Sequence, residues 1–332
     1  MSTSLHSFAK INLGLKIGPR RLDGFHELRT IYQTIALYDV VRVEALAGSG
    51  IEIQCTEPAV PLGESNICYK VAERVMQAAK ARGRVVIHIE KQLPVQGGMG
   101  AASSNAVATM LALERELDLK LTPGDKLRIA ADVGSDLPLF LIGGTVLGLG
   151  RGEEVYALED LPPLPLVVVT SPLGVATPAA FARWDLLCAR EAELTPSPAP
   201  GTINRFSSAV FRWLSPSLPW QSLAAGEPAS GVPAGSGDRA ETLLLDLVRA
   251  GIENDFERVV FPEYPELREV KRVLKREGAC YASLSGSGST LYGLFTSAEE
   301  AQRAAQRMRK AGHAAIAATT VTRRRYWELL FQ

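Results

Sequence analysis

Twelve residues constrain this chain more than any others: Pro94-Val95-Gln96-Gly97-Gly98-Met99-Gly100-Ala101-Ala102-Ser103-Ser104-Asn105. The residues before them, 84–91, read as a strand, and an apolar-periodic run to about Leu117 reads as a helix. Strand, small-residue loop and helix in that order let a backbone approach a bulky anion. The first N–H groups of a helix have no partner inside it and carry partial positive charge. The stretch can therefore cradle a phosphate. It is not a Walker A loop, since no Gly-Lys-Ser/Thr follows, and it lacks the G-x-G-x-x-G spacing. A tight turn capped by Ser103, Ser104 or Asn105 is the other reading, and the loop alone does not choose between them.

Residues 7–17 alternate strictly. Ala9, Ile11, Leu13, Leu15 and Ile17 share one face; Phe8, Lys10, Asn12, Gly14 and Lys16 share the other. Period two predicts a half-buried strand whose polar face sets a lysine beside an asparagine, as ligand contacts or as an ordinary solvated face. Asp23-Gly24 marks a turn. Strands are expected at 28–37, 40–45 and 51–55, and a helix over 66–82 that stops at Gly83. Another helix runs from the Thr122-Pro123 start to 133. Gly134-Ser135-Asp136-Leu137-Pro138 is a turn that sets an aspartate among apolar residues. Strands at 144–149 and 164–170 close a first lobe, and a helix opens within 176–181. Pro, Gly, Ser and Ala dominate 196–238, which reads as a mobile insertion. Helices at 241–250, 264–276 and 297–311 and strands at 280–285, 290–295 and 314–322 follow. Helices and strands mix without regular alternation, so an α+β architecture is expected over a doubly wound sheet. The 332 residues divide into lobes at 1–160 and 161–332.

Charge narrows the partners. With 36 basic and 36 acidic residues the net charge is zero, which argues against nucleic acid and anionic membranes. The longest apolar tract, 137–149, is too short to span a bilayer. Arg323-Arg324-Arg325 reads as a solvated face. Cys55, Cys68, Cys188 and Cys280 lack ligand spacing and read as buried thiols of a reducing compartment. The first residues read as neither a signal nor a transit peptide, so a cytoplasmic protein is expected.

Three separated pieces, Ala9-Lys10-Ile11-Asn12-Leu13, the 94–105 loop and Ser285-Gly286-Ser287-Gly288-Ser289, together resemble the GHMP kinase superfamily, whose members carry them in this order. Arg21-Leu22-Asp23-Gly24-Phe25-His26, Gly134-Ser135-Asp136-Leu137-Pro138 and Asn254-Asp255-Phe256-Glu257 are similar to its branch acting on a cytidyl-methylerythritol substrate. The resemblance implies a two-lobed fold, with a mixed-sheet N-terminal lobe, a ferredoxin-like C-terminal lobe and a cleft between them. It implies ATP and Mg²⁺, and phosphorylation of a substrate hydroxyl (the 2-hydroxyl) in the non-mevalonate route to isoprenoids. Phosphoryl transfer needs positioning, charge neutralisation and a group to take the hydroxyl proton. By resemblance Asp136 is the base and Lys10 the charge stabiliser.

The ATP site implied in the same way comprises Asn66, Lys91, Pro94, Gly97, Gly98, Gly100, Ala101, Ala102, Ser103 and Ser104, with Ser104 facing the metal. Gln96, Ala101 and Ala102 stand where the branch carries glycine, which predicts a stiffer loop or an earlier helix start. On the substrate side, Phe25 replaces the branch's usual tyrosine as a stacking ring, and His26 hydrogen-bonds the base. Asn12 contacts the substrate between its base and erythritol ends. Thr177 and Phe181 close the pocket, with Phe181 as a second stacking wall, and Gly286 and Ser287 add support. The implied partners are small molecules, on a monomer or weak homodimer. A kinase of the same superfamily for an aminoalcohol or sugar is disfavoured by the Phe25-His26 pair. A nucleotide-binding regulator without turnover is disfavoured by Lys10 with Asp136. An RNA-binding module lacks a basic, aromatic-interleaved patch. Hydrolase and zincin motifs are missing.

Overall fold

The alternation around Lys10 extends both ways into β1 (Ser2–Arg20), paired antiparallel with β2 (His26–Leu46) across a turn where Gly24 takes φ 86°. The computed structural model describes residues 2–95, 97–194 and 253–331. The insertion expected at 196–238, the helix expected at 241–250 and Gln96 lie outside the described residues. β2 is continuous where two strands were expected, because Asp39 turns inward rather than ending the strand. β3 (Gly50–Cys55), β4 (Arg84–Glu90), β5 (Thr145–Leu149) and β6 (Glu154–Ala157) complete a mixed sheet in the order β3-β4-β2-β5-β6, with β1 on β2. Only the β3–β4 pair is parallel, and α1 (Ile67–Ala78) makes its crossover.

A second sheet holds β7 (Pro165–Thr170), β8 (Tyr281–Leu284), β9 (Leu291–Leu294) and β10 (Ala314–Thr319) in the antiparallel order β10-β7-β9-β8. The strand expected to close the first lobe thus opens this sheet instead. Around it lie α5 (Thr177–Leu194), α6 (Glu257–Glu263), α7 (Pro265–Arg276) and α8 (Ala298–Lys310). The spatial order fourth-first-third-second is the ferredoxin-like arrangement.

Three apolar layers result. Helix α2 (Ala101–Glu116), α3 (Pro123–Val133) and α9 (Arg323–Leu330) pack with α1 on the outer face of the six-stranded sheet, around Phe8, Val71, Met110 and Tyr326. Between the sheets, Ala9, Ile11, Leu13 and Ile35 meet Leu166, Val168 and Tyr292. The outer layer of the second sheet joins Trp184, Phe256 and Leu274. β1 is therefore buried on both faces, which strict alternation does not foretell.

Local chemistry sets the helix ends. Asn66 and Thr122 cap α1 and α3 by accepting the amides of Cys68 and Asp125. α1 stops at Ala78, before Gly83, because Lys80 enters the left-handed region at φ 52°. The start of α2 meets the expectation of an early helix but not that of a side-chain cap. It begins at Ala101 behind Gly100, with no side-chain cap, so Ser103, Ser104 and Asn105 lie inside its first turns. Arg323 departs from expectation: its guanidinium turns inward to the carbonyls of Thr145 and Leu158. Of the cysteines only Cys68 is buried; Cys55 is half-buried, and Cys188 and Cys280 are exposed. No helix among the described residues is long and apolar enough to cross a membrane.

Candidate active site

Lys10 is 3% exposed, and its Nζ donates to Asn12 Oδ1 at 2.7 Å. It also faces Asp136 Oδ2 at 3.3 Å and lies 5.4 Å above the Tyr32 ring. Asn12 Nδ2 donates to Thr30 Oγ1 at 2.7 Å, and Thr30 donates on to the Gly14 carbonyl. That relay fixes the amide with its oxygen toward Lys10. Asn12, expected on the substrate, is 1% exposed, and its amide is bonded at both ends, to Lys10 and to Thr30. The expectation of a solvated polar face fails because the glycine loop covers it: Lys10 N–H donates to the Met99 carbonyl at 3.0 Å.

Asp136 stands at the N-cap position of α4 (Leu137–Phe140), yet its side chain caps nothing. The carboxylate instead accepts from the Tyr32 hydroxyl at 3.1 Å and meets Lys10. Burial, and then the charge of Asp136, push the Tyr32 hydroxyl well above its ordinary pKa, so it stays a donor. Tyr32 was not singled out from the sequence. Its register opposite Asn12 on β1 would have placed it here.

The loop before α2 is shaped by close approach. Gly98 has φ 76°, and a Cβ there would lie 2.3 Å from the Ser285 carbonyl oxygen. At Gly100, φ 68°, it would lie 3.1 Å from Lys10 Cγ. Only glycine satisfies both demands. From the second sheet, Thr290 N–H donates to the Gly97 carbonyl and Ser285 Oγ to that of Gly98. Asn254 Nδ2 holds the carbonyls of Leu284 and Gly286, and Ser287 bonds Thr177 at 2.7 Å. Both ends of the loop return to one fully buried carboxylate. Asp39 accepts the amides of Gln92 and Leu93 at 2.7 and 2.8 Å and Asn105 Nδ2 at 3.1 Å, and pairs with Lys91. Sequence reading missed this aspartate.

A cavity of about 360 Å³ opens against the loop, lined by Asn66, Lys91, Pro94, Gly98 and Ser103 among others. Its size is that of a small-molecule site. Ala102 is exposed, while Ala101 and Ser104 are buried; Ser103 rather than Ser104 lines the cavity. Among the described residues no three His, Cys, Asp or Glu side chains gather as a metal cage.

Phe25 is 50% exposed, with the Arg151 guanidinium 5.0 Å from its ring centroid. His26 is buried; its Nε2 meets Asp185 Oδ1 at 2.6 Å and its ring stacks on Phe181 at 4.9 Å and 8°. Phe181, expected to form a stacking wall opposite Phe25, is instead paired with His26. The two flat faces shield each other, and Asp185 on α5 fixes the imidazole.

Models of the GHMP kinases N terminal domain and GHMP kinases C terminal domain match residues 66–144 and 240–314. With relatives 36% identical along 92% of it, the chain belongs to the GHMP kinases and is an ATP-dependent kinase. It is similar to the 4-diphosphocytidyl-2-C-methyl-D-erythritol kinase of Moorella thermoacetica, 36% identical over 92% of this chain and 95% of that one. The enzyme of the same name from Solibacter usitatus is 37% identical over 89% and 83%. A crystal structure of 4-(cytidine 5'-diphospho)-2C-methyl-D-erythritol kinase superposes with a TM-score of 0.69 at 30% identity, covering 96% of this chain and 98% of the other. Homoserine kinase from Cytophaga hutchinsonii, at 18% identity and TM-score 0.64 over 97% and 95%, shares the fold.

Proposed function

We propose that this kinase transfers the γ-phosphoryl group of ATP to the 2-hydroxyl of 4-diphosphocytidyl-2-C-methyl-D-erythritol, a step of the non-mevalonate route to isoprenoid precursors. The names of its relatives support the substrate. The observation that carries the chemistry is Lys10 Nζ, buried against Asp136 at 3.3 Å where strand, glycine loop and the Gly286 loop converge. In the transfer, the substrate oxygen bonds to the γ-phosphorus as the bond to the bridging β–γ oxygen breaks. ADP leaves with that bond's electron pair, and the hydroxyl proton passes to Asp136. Lys10 neutralises charge on the moving phosphoryl group, and its Asn12 contact keeps the ammonium aimed.

ATP would lie in the cavity beside Asn66 and Lys91, with its phosphates on the amides between Gly97 and Ser103 and the loop wrapped around them from Pro94 to Ser104. Mg²⁺ would travel on those phosphates, with Ser103 or Ser104 offering a hydroxyl. Phe25 would stack on the cytosine, and His26 and Phe181 would separate to admit its edge. Thr177, Gly286 and Ser287 would close the site. ADP release with Mg-ATP is the test, using the cytidyl substrate, mevalonate and homoserine. Turnover confined to the cytidyl substrate, and lost by 10²-fold or more (about that order) in Asp136→Asn, is expected. Turnover on a control would move the chain elsewhere in the family.

A further inference from the structure

We propose that the Tyr32 hydroxyl is a positioning group for phosphoryl transfer, holding the Asp136 carboxylate in the orientation in which it takes the substrate proton. This rests on Asp136 being the base. Asp136 has no local tether, since it heads a four-residue helix without capping it. Its contact with Lys10, at 3.3 Å, supplies charge more than direction. Tyr32 supplies the direction through its 3.1 Å hydrogen bond to Oδ1.

The surroundings of Tyr32 are cleared for that hydroxyl. The ring is 2% exposed on β2, locked between Asn12 on β1 and Val146 on β5. Two glycines stand against it. A Cβ at Gly148 would come within 2.5 Å of Tyr32 Cε2, and one at Gly152, φ 105°, within 2.4 Å of the hydroxyl oxygen. A phenylalanine would fill the same apolar slot without bringing in a polar atom. A buried hydroxyl is costly unless bonded, and Asp136 is the acceptor it has been given.

The test is a double-mutant cycle of Tyr32→Phe and Asp136→Asn in the full chain, reading kcat, both KM values and thermal stability with Mg-ATP and the cytidyl substrate. Tyr32→Phe should lower kcat about 10-fold, the order expected for losing a hydrogen bond to a charged group. Both KM values should stay within about twofold, with little change in melting temperature. In the Asp136→Asn background the tyrosine change should cost nothing further, because its route to the chemistry is gone. An equal loss in both backgrounds, unchanged kcat, or a rise confined to KM would overturn the positioning role while leaving the base assignment standing. Near wild-type turnover in Asp136→Asn alone would overturn the base assignment and the positioning role with it.

Discussion

At the glycine-loop end, Asp39 gathers two amides, an asparagine and a lysine in full burial, and the loop backbone touches Lys10 and Ser285 directly. At the Phe25 end the parts are side chains. Phe25 is half exposed under Arg151, and His26 is stacked on Phe181. The first end is built from backbone and buried charge, which cannot rearrange without unfolding part of the sheet. The second is built from rings whose partners can be exchanged. Phosphoryl transfer tolerates little displacement, since small misplacements of reacting groups are expensive. Recognition of a base tolerates more. On the proposed assignment of the two ends, the contrast puts rigidity at the end that transfers the phosphoryl group.

Glycine substitutions break this comparison most sharply. Gly98 and Gly24 share a positive φ, 76° and 86°, but a Cβ at Gly98 meets the Ser285 carbonyl whereas at Gly24 it meets nothing within 4 Å. Gly24→Ala should cost only the left-handed strain, about 1–2 kcal/mol. Gly98→Ala adds overpacking, for a total of about 3 kcal/mol, and should raise KM for ATP by roughly 10-fold or more as the cradle shifts. Urea unfolding and ATP kinetics on both variants check this. Equal costs would mean that the loop end is no stiffer than the turn.

A smaller effect sharpens the other side. Phe25→Ala removes an exposed ring, so stability should hardly move, while KM for the cytidyl substrate should rise about 10-fold, the scale of one base–aromatic stack. KM for ATP should stay put. A matched rise in both constants would show that Phe25 supports the fold of the site rather than the base.

Lys10, Asp136 and the glycine loop were singled out in the sequence through motifs that resemble a family's, and the structure brings the three together. The sequence did not carry what joins them. Tyr32 and Asp136 are 104 residues apart, and Asp39 and Asn105 are 66 apart, so no spacing rule links either pair. Asp39 was hidden further by looking like the end of a strand, when its polarity marks the point where β2 grips the loop. Likewise Ser103 and Ser104 have the chemistry of caps, but the left-handed Gly100 starts α2 ahead of them. The burial of Lys10 was illegible because alternation reports two faces and not what covers the second.

The mildest prediction concerns protons. Burial raises the Cys68 thiol from the ordinary 9.0 to about 12, and raises Tyr32 well above 10.0. Both lie at the loop end: Cys68 lines the cavity and Tyr32 faces Asp136. A group held protonated by the fold contributes its full stability below its unfolded pKa and loses it as pH rises toward the folded value. Above pH 9.0 the unfolded chain releases the Cys68 proton first, so stability should fall as pH climbs from 9.0 toward about 12. The Cys68 share is about 0.8 kcal/mol at about pH 9.5, steepening to about 1.4 kcal/mol per pH unit. Melting temperature against pH for the wild type and Cys68→Ala reads the difference. The variant starts lower, from the cavity it leaves, but its curve should stay flatter between about pH 9 and 10. Parallel curves would mean that the Cys68 thiol ionises as readily in the folded chain as in the unfolded one, and that the loop end is more open to water than its packing indicates.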